Sequence, residues 1–365
     1  MRVLHVINSL GMGGAEKLIV DTLPLYRANE ITVDLLLLNG TKTDFYEELK
    51  QTVDIKIHDL GLSSLFNPVM IFRIIPYLNK YDLIHVHLFP ALYWVSLAKF
   101  FSRSKTKLVF TKHSTSNRRM EASLFTRNIE RWIFSRYSAI ISISPEVEAR
   151  IKSLLRFPLD RFALIDNGVD LSVIKLASPF REKIFEENRE DIKVVIQVSS
   201  FRMPKDQPTL LRALALLPIE VKLLLVGDGP QRSTCEKMAE ELGIKDRVKF
   251  LGVRMDVPQL LKAADIVVLS TGFEGLSLAV VEGMAAGRPV VGSDVPGVRG
   301  VIKGAGVFFP KGDEAALAKV IKALLNDSDY YKCVANSCLE RAKLYDVRTM
   351  VRRHLDLYNK VVSHS

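Results

Sequence analysis

The chain alternates short apolar runs with amphipathic stretches along almost its whole length. The apolar runs are rich in Val, Ile and Leu, as in Lys193–Gln197 and Ile266–Leu269. Such continuous runs are typical of parallel strands that are buried on both faces. The stretches between them, including Ala15–Leu25 and Gln207–Leu217, have the spacing of helices with one apolar face. The pattern therefore predicts an α/β protein made of doubly wound parallel sheets.

The predicted strands fall into two groups, one in each half of the chain. They are Val3–Ile7, Thr32–Leu38, Leu83–Val86, Lys107–Thr111, Ala139–Ile143 and Phe162–Ile165, then Lys193–Gln197, Val221–Val226, Val248–Phe250, Ile266–Leu269, Pro289–Gly292 and Val307–Phe309. Between the groups, from Asp170 to Asp191, serine, proline and charged residues interrupt the alternation. We therefore predict an N-terminal domain of residues 1–175 and a C-terminal domain of residues 176–344, divided near Leu176.

Composition adds limits on compartment and partners. The three cysteines, Cys235, Cys333 and Cys338, have neither a disulfide framework nor metal-ligand spacing, so we expect a reduced, cytoplasmic compartment. No apolar run reaches the ~18 residues that a membrane span needs, and Met1–Ile7 has the pattern of a strand rather than of a signal peptide. The formal charge of +10 favours anionic partners, unless it is a solvated basic surface.

A glycine-rich turn follows the first predicted strand. Gly11, Gly13 and Gly14 precede a predicted helix, and the free amides at a helix start favour an anion. The spacing differs from G-x-G-x-x-G, and Asp34 lies inside a strand rather than at its end, so the pattern does not favour a dinucleotide site. The alternative is a plain tight turn.

A second turn, in the C-terminal half, carries two carboxylates. Glu274 lies in a glycine-containing loop after a predicted strand, and Glu282 lies about two turns into the helix that follows. Two such carboxylates can hold sugar hydroxyls from two sides, and the amides of Gly275, Leu276 and Ser277 can bind an anion. The alternative is a pair of solvated carboxylates. The apolar sequence around Glu282 disfavours it, because an unpaired buried charge is costly.

These motifs resemble those of a known family. Glu274 and Glu282, with seven residues between them, resemble the E-x7-E signature of family 4 glycosyltransferases of the GT-B fold, of the bacterial surface-polysaccharide type. The resemblance extends along nearly the whole chain. The other matching segments are Gly13-Gly14-Ala15-Glu16, Asp82-Leu83-Ile84-His85-Val86-His87, Thr111-Lys112-His113, Asn167-Gly168-Val169-Asp170, Pro204-Lys205-Asp206 and Gly227-Asp228-Gly229-Pro230.

The resemblance implies an activity and a role for each matching residue. It implies a metal-independent retaining hexosyltransferase with two Rossmann-like domains facing a cleft, and a C-terminal helix at about residues 345–365 that returns to the N-terminal domain. The donor is expected to be a nucleotide sugar, UDP-linked, bound by the C-terminal domain, and the acceptor a glycan or lipid-linked glycan. Catalytic roles fall on His113, Glu274 and Lys205, and donor binding on Gly13, Gly14, Arg202, Lys205, Gly275, Leu276, Ser277 and Glu282.

Within this assignment, Glu282 holds the ribose hydroxyls and Lys205 the diphosphate, while His113 contacts the transferred sugar. Lys205, Arg202 and helix amides supply the positive charge that a metal ion supplies elsewhere, so neither a metal nor a cofactor is expected. For His113 the alternative is a packed core histidine. His85 and His87 either line the cleft or pair as metal ligands, but the sequence shows no third ligand.

The sequence departs from the family pattern at two positions. Ser200 stands where many members carry an arginine, and Arg202 is the candidate to replace it. Gly300 stands where many members carry a glutamate, so the loop Val295–Gly300 receives no role. One alternative function is a nucleotide-sugar epimerase, which would need its own acid/base carboxylates. Another is a non-enzymatic nucleotide or nucleic-acid binder, but the aromatic and basic interleaving of such proteins is absent from the sequence, and no nucleic acid partner is expected.

The segment Asn117–Tyr137 mixes arginines with bulky apolar residues at near-helical spacing. Leu124, Phe125, Ile129, Trp132, Ile133 and Tyr137 can share one apolar face. Such a helix can lie on an anionic bilayer, or it can simply pack on its own domain. We predict the first, and with it a peripheral enzyme on the inner face of the cell membrane.

Overall fold

A computed structural model describes residues 1–11, 13–52, 55–61, 64–114, 123–179 and 191–363. The chain divides into two compact units. The N-terminal unit consists of Met1–Gly168 and a returning C-terminal helix that begins at Val347, and the C-terminal unit is the continuous segment Val169–Asp346. Each unit is built on a parallel sheet with helices between the strands, so the α/β prediction is confirmed.

The N-terminal unit holds a seven-stranded sheet in the order β3–β2–β1–β4–β5–β6–β7. Its elements are β1 (Arg2–Ile7), α1 (Gly14–Ala28), β2 (Thr32–Leu37), α2 (Asp44–Thr52), β3 (Ile57–Asp59), α3 (Val69–Leu78), β4 (Leu83–His87), α4 (Ala91–Ser102), β5 (Lys107–Lys112), α5 (Leu124–Phe134), β6 (Ala139–Ser142), α6 (Pro145–Leu155) and β7 (Phe162–Leu164).

The C-terminal unit holds a six-stranded sheet in the order β10–β9–β8–β11–β12–β13. Its elements are α7 (Leu171–Leu176), β8 (Lys193–Val198), α8 (Gln207–Ala215), β9 (Val221–Val226), α9 (Arg232–Glu241), β10 (Val248–Gly252), α10 (Val257–Ala263), β11 (Ile266–Leu269), α11 (Leu278–Ala285), β12 (Val290–Ser293), α12 (Pro296–Ile302), β13 (Val307–Phe309), α13 (Glu314–Asn326) and α14 (Ser328–Ala342). The last helix, α15 (Val347–Ser363), belongs to the N-terminal unit.

The first sheet is covered by helices on both faces, as continuous apolar strands require. Leu4 and Val6 of β1 pack with α3, α4, α5 and α6, whereas Val3 and Ile7 pack with α1, α2 and α15. Side chains of a strand alternate between faces. His5 therefore shares the face of Val3 and Ile7, beneath α1 and α15, and this position matters for the site described below.

The helix starts follow capping chemistry that can be read locally. Ser144 accepts from the amide of Val147 and Pro145 takes the first helical position of α6. Asp206 accepts from the amide of Thr209 at the start of α8. Ser123 and Thr126 form a reciprocal capping box at the start of α5. Each cap satisfies amides that have no partner within the helix.

Two details differ from the sequence prediction. Strand β3 was not expected, because Ile57–Asp59 is a short edge strand with only one strongly apolar residue. The units divide at Gly168 and Val169, earlier than Leu176. The reason is that α7 packs on α10 and α11 of the C-terminal unit, where Lys262 Nζ also donates to the carbonyl of Lys175 at 3.1 Å.

Candidate active site

In the C-terminal unit the two central strands, β8 and β11, lie side by side. The chain leads from β8 towards β9 and β10 on one side of the sheet, and from β11 towards β12 and β13 on the other. Ligands of open α/β sheets bind at such a switch point, outside the carboxyl ends of the strands. Two segments leave the carboxyl ends there. Ser199–Lys205 follows β8, and Ser270–Ser277 follows β11. All the C-terminal residues that the sequence assigned to the donor lie on these segments or on α11.

Lys205 and Glu274 form an ion pair at this switch point, and Lys205 Nζ donates to Glu274 Oε1. The two segments are also joined by their backbones, because Lys205 bridges Thr271 and the amide of Gly272 donates to the carbonyl of Pro204 at 2.9 Å. The Lys205 and Glu274 side chains are 18% and 12% exposed. Burial lowers the pKa of Lys205 to about 8, while an adjacent carboxylate favours its charged form.

The amides that the sequence assigned to an anion lie at the start of α11. Ser277 is the N-cap residue of this helix, in an extended conformation, and Gly275, Leu276 and Ser277 are all buried. Glu282 lies in the second turn of the helix and is half-buried. A helix start carries unpaired amides and partial positive charge. The arrangement therefore places amides, a lysine and two carboxylates on segments around one sheet edge.

The other cations near this edge are Arg202 and Lys311. Arg202 is exposed, as the sequence assignment to a phosphate requires. Lys311 was missed by sequence reasoning. A Cβ atom on Gly272 would lie 3.2 Å from Lys311 Nζ, so this lysine reaches the loop that carries Glu274. The available signal was its position, since Lys311 follows β13, and the carboxyl ends of parallel strands share one edge.

The segment Val295–Gly300, which had no assigned role, is the N-cap and start of α12 rather than a loop, and it supports the Glu274 segment. A Cβ atom on Gly297 would lie 2.2 Å from the carbonyl oxygen of Glu274 and 2.7 Å from that of Gly275. Only glycine allows the backbones to approach so closely. Gly300 itself accepts a hydrogen bond from Arg341 through its carbonyl, at 2.9 Å. The start of α12 therefore supports the backbone that carries Glu274 and the amides assigned to an anion.

We expect Gly297→Ala to destabilise the C-terminal unit by about 1–3 kcal/mol, the usual cost of overpacking, because the added methyl group collides with backbone atoms that cannot move aside independently. Thermal unfolding measures the effect. Gly272→Ala is the matched control, since its methyl group meets mainly the flexible end of Lys311, at 3.1–3.2 Å. Equal unfolding temperatures for the two variants would contradict the supporting role of Gly297.

In the N-terminal unit the corresponding switch point lies between β1 and β4. Gly13 is the N-cap residue of α1 and its amide donates to the carbonyl of Gly11 at 2.9 Å, with Gly14 as the first helical residue. Asn8 ties the two strand ends together, donating to the carbonyl of Phe89 at 2.7 Å and accepting from the amide of Ala91 at 3.2 Å. Gly13 and Gly14 therefore lie at the sheet edge, but the amide of Gly13 is engaged by Gly11, and the assignment of the two glycines to phosphates stays a prediction.

His113 follows β5 and is part of a larger group of buried histidines. Its Nε2 lies 3.3 Å from Nδ1 of His87, and Nε2 of His87 lies 3.2 Å from Nδ1 of His5. Burial lowers the pKa of His113 to about 4, with a smaller contribution from Lys112. His113 is therefore a neutral imidazole at pH 7. It can exchange hydrogen bonds with a sugar hydroxyl but carries no charge.

The structure supplies the third histidine that the pair His85 and His87 lacked. One ring nitrogen of each of His5, His85 and His87 lies within 4.8 Å of the others. However, both nitrogens of His85 are engaged, with Tyr358 at 2.5 Å and Thr111 at 2.6 Å, and both nitrogens of His87 are engaged with histidines. A metal ion would have to replace these hydrogen bonds. The geometry favours a hydrogen-bonded network over a metal centre.

Two family models match the chain. The model of Glycosyltransferase Family 4 matches residues 12–173, and that of Glycosyl transferases group 1 matches residues 180–339. The chain belongs to the family 4 glycosyltransferases. Among solved structures, this glycosyltransferase resembles Anabaena HepE in complex with UDP-glucose, with a TM-score of 0.85 and 25% identity over 99% of this chain and 100% of that one. Its structural neighbours have the GT-B fold, so that prediction is confirmed.

Two curated relatives are enzymes with different substrates. The glycosyltransferase is 29% identical over 256 residues to N-acetyl-alpha-D-glucosaminyl L-malate synthase of Bacillus anthracis, over 69% of this chain and 67% of that protein. It is 25% identical over 362 residues to N-acetylgalactosamine-N,N'-diacetylbacillosaminyl-diphospho-undecaprenol 4-alpha-N-acetylgalactosaminyltransferase of Campylobacter jejuni, over 93% and 94% of the two chains. Both relatives are sugar-transferring enzymes, and the roles assigned above to single residues of the glycosyltransferase stay predictions.

Proposed function

We propose that this glycosyltransferase moves a hexose from a UDP-sugar to a glycan or lipid-linked glycan acceptor, with retention at the anomeric carbon and without a metal ion or other cofactor. The main support for this proposal is the largely buried Lys205–Glu274 ion pair, which lies next to the amides at the start of α11. A UDP-sugar donor is supported by HepE, which was solved with UDP-glucose. The lipid-linked acceptor is supported by the Campylobacter jejuni relative, whose name specifies an undecaprenol-diphosphate-linked substrate.

In this proposal each residue meets one part of the donor. Glu282 accepts hydrogen bonds from the ribose hydroxyls. Lys205 and Arg202 bind the diphosphate, and Gly13 and Gly14 approach the phosphates at the start of α1. Glu274 accepts from hydroxyls of the donor sugar, next to the amides of Gly275, Leu276 and Ser277, and His113 also contacts the transferred sugar. The positive charge matters most as the nucleotide leaves, when negative charge grows on the β-phosphate.

Retention is proposed through a front-face reaction. The bond between the anomeric carbon and the β-phosphate oxygen breaks, and the acceptor oxygen bonds to the same face of the carbon. The acceptor proton passes to the departing phosphate oxygen, so charge and atoms balance. A double displacement would need a free carboxylate nucleophile, whereas Glu274 is held by Lys205. Lys205 also stabilises the negative charge on the leaving nucleotide, which is the role that a metal ion has in metal-dependent enzymes.

A panel of nucleotide sugars in a thermal-shift assay tests the donor. The matching donor, at 100 times its dissociation constant, should add about 2.7 kcal/mol of stability. With that donor and an undecaprenol-linked glycan acceptor, NMR of the product should show the donor's anomeric configuration, and turnover should survive EDTA. An inverted product would contradict the front-face step. Loss of turnover in EDTA that magnesium restores would contradict metal independence.

We further propose that the N-terminal unit docks on the anionic inner face of the cell membrane, which places the enzyme at the cytoplasmic surface. Among the described residues, no helix is both long and apolar enough to cross a bilayer. The docking surface, which we call the α4–α5 patch, consists of exposed apolar side chains on α5 and at the end of α4. They are Phe100, Phe101, Leu124, Phe125, Ile129 and Trp132, of which Leu124 and Phe125 are each 74% exposed.

The patch differs from the apolar face that the sequence predicted. Ile133, on the inner face of α5, and Tyr137, which lies beyond the end of that helix, are buried in the core of the unit, separate from Phe125 and Trp132. The patch instead gains Phe100, whose ring lies 5.2 Å from that of Trp132. Arg136 lies over both rings, at 4.9 and 4.6 Å. Part of the predicted segment, residues 117–122, lies outside the described residues.

Charge selects an anionic bilayer as the partner of the α4–α5 patch. Between Leu83 and Met120 the sequence contains seven Lys or Arg and no Asp or Glu. On α5 the one described acid, Glu130, is buried and accepts from the Tyr93 hydroxyl. Exposed aromatic and aliphatic side chains with flanking basic residues are typical of interfacial helices. An anionic membrane satisfies both features, because it offers an apolar interior beneath a negative surface.

We expect sedimentation with liposomes to rise with anionic lipid and to fall with salt. Lys105→Ser with Arg127→Ser should weaken binding about 25-fold, since each basic residue contributes about 1 kcal/mol. Phe101→Ser with Phe125→Ser should weaken it as well while leaving the unfolding temperature nearly unchanged, because both side chains are exposed. Leu344→Ser, at an exposed apolar side chain of the C-terminal unit, is the matched control. Absence of binding to strongly anionic vesicles at low salt would refute the proposal and favour a soluble acceptor.

A further inference from the structure

Five of the seven histidines in the sequence meet inside the N-terminal unit. They come from four different elements: His5 from β1, His85 and His87 from β4, His113 from the turn after β5, and His354 from α15. Tyr26 and Tyr358 join them. His5, His85, His87 and His354 are at most 4% exposed. Buried ring nitrogens need hydrogen-bond partners. The hydrogen bonds between these rings form two connected sets, which we call branches.

One branch secures α15 to the rest of the unit. Tyr358 lies 2.5 Å from Nδ1 of His85, and Tyr26 lies 2.5 Å from Nδ1 of His354. Thr111 lies 2.6 Å from the second nitrogen of His85. This branch contains tyrosine and threonine hydroxyls, which rotate to donate or accept as needed. It therefore imposes no fixed direction on the protons.

The other branch contains imidazoles alone and ends at the candidate site. It runs from His5 through His87 to His113, with nitrogen–nitrogen distances of 3.2 and 3.3 Å. Burial lowers the pKa of His5 to about 3 and that of His87 well below its usual value. Each ring is thus neutral and carries a single N–H. Each of the two hydrogen bonds needs one proton, so the protons of all three rings must point the same way along the branch.

The end of the branch decides which way. Among the described residues, Nε2 of His5 is buried and has no hydrogen-bond partner. If that nitrogen carried the proton, a buried N–H donor would be left unsatisfied, which is rarer and more costly than an unsatisfied acceptor lone pair. The proton of His5 is therefore expected at Nδ1, where it donates to Nε2 of His87. The proton of His87 then lies at Nδ1 and donates to Nε2 of His113.

This direction fixes the tautomer of His113. Because its Nε2 accepts from His87, its own proton is at Nδ1, the nitrogen that the branch does not use. We propose that His5 and His87 are positioning residues that hold His113 as the Nδ1–H tautomer, so that this ring donates a hydrogen bond to an oxygen of the bound sugar. The role in transfer rests on the proposed function, whereas the tautomer itself does not. Neither His5 nor His87 needs to touch the substrate.

Nitrogen-15 NMR of histidine-labelled protein without substrate tests the tautomer directly. His113, assigned by its loss in His113→Ala, should show a protonated Nδ1 and a bare Nε2. His87→Phe removes the donor to Nε2 of His113 and should shift His113 towards a mixture of tautomers. His87→Asn keeps an amide donor near the position of Nδ1 and should preserve the wild-type pattern. His354→Phe is the control, because it disturbs the other buried branch and not the imidazole branch.

Kinetics separate positioning from structure. His87→Phe should lower kcat by between about three-fold and ten-fold, the worth of one hydrogen bond, with the KM for the donor nearly unchanged. His87→Asn should recover most of this loss. His354→Phe should leave the tautomer of His113 unaltered even if it lowers the unfolding temperature.

Three results would overturn the proposal. They are a wild-type His113 protonated at Nε2, an equal effect of His87→Phe and His354→Phe on the His113 signals, and a stoichiometric zinc ion bound by His5, His85 and His87 in the purified protein. Absence of transfer with every donor would instead overturn the proposed function, and the nitrogen signals would still report the tautomer. The two failures are therefore distinguishable.

Discussion

Lys205→Ala should lower turnover by about 100-fold to 1000-fold, the usual cost of removing one group that stabilises charge in a transition state. Lys205 is the buried cation at the sheet edge where the proposed diphosphate leaves, and exposed Arg202 and Lys311 are poorly placed to replace a desolvated charge. Single-turnover kinetics with the matching UDP-sugar measure the effect. Lys332→Ala, at an exposed lysine, is the control.

The alanine variant also leaves Glu274 without its ion-pair partner, which can destabilise the loop. The double variant Lys205→Ala, Glu274→Gln separates the two effects, because it removes the uncompensated carboxylate. Because Glu274 is itself assigned to the donor sugar, the single variant Glu274→Gln is the reference for turnover. A double variant that regains stability but turns over far more slowly than Glu274→Gln supports the catalytic role of Lys205. Equal turnover of the double variant and of Glu274→Gln would show that Lys205 is needed only to neutralise Glu274.

The lowered pKa of Lys205 gives the same assignment a second test. As pH rises through about 8, the ammonium of the free enzyme loses its charge, so kcat/KM should fall on the alkaline side. Lys205→Arg keeps its charge at every accessible pH. Its activity, although lower at the optimum because the guanidinium is larger, should lack this alkaline decline. The same alkaline decline in both proteins would assign it to another group.

Glu282→Ala should weaken donor binding ten-fold or more. Removing the carboxylate leaves ribose hydroxyls without partners in a half-buried site, at about 1–3 kcal/mol. Alanine is the strongest helix former, so α11 should remain intact and the loss should appear in binding rather than in folding. Calorimetry with UDP and with the UDP-sugar measures it, and both ligands should weaken alike because both carry the ribose.

Glu241→Ala serves as the matched control, since Glu241 is an exposed glutamate at the end of α9. It should leave donor affinity unchanged. Wild-type affinity for UDP in a folded Glu282→Ala protein would remove the ribose assignment, and the helix start of α11 with Lys205 would then have to account for nucleotide binding.

The placement of the candidate residues in the C-terminal unit could be predicted because most of them are close along the chain. Glu274, the amides before α11 and Glu282 lie within one loop and one helix, so local spacing determines their arrangement. Lys205 is distant in sequence from Glu274, but both follow central strands of one sheet, and the carboxyl ends of such strands meet. Lys311 was missed because its position after a strand shows that it lies at the same sheet edge but not that its side chain reaches Gly272.

The N-terminal site is harder to predict for a physical reason. His5 stands alone among the apolar residues of β1, and in a sequence it looks like one polar residue tolerated in a core. Its role depends on the strand register, which places His5 opposite His85, and on its position on the sheet face that α15 covers. Likewise, the helical spacing of α5 shows which residues can share a face but not which face turns inward. For that reason Ile133 was grouped wrongly with Phe125. Tyr137 was grouped wrongly because the helix ends at Phe134, before it.

The C-terminal helix α15 has a consequence for synthesis of the chain. The core beneath β1 and β2 includes Val347, Met350, Val351 and Tyr358 of this helix, so the N-terminal unit lacks part of its interior until α15 has left the ribosome. The C-terminal unit is one uninterrupted segment and needs nothing from either end. At about 5–20 residues per second, synthesis of the C-terminal unit takes roughly ten seconds or longer, and α15 is made only after it. The C-terminal unit can therefore finish folding before the N-terminal unit, although it is made second.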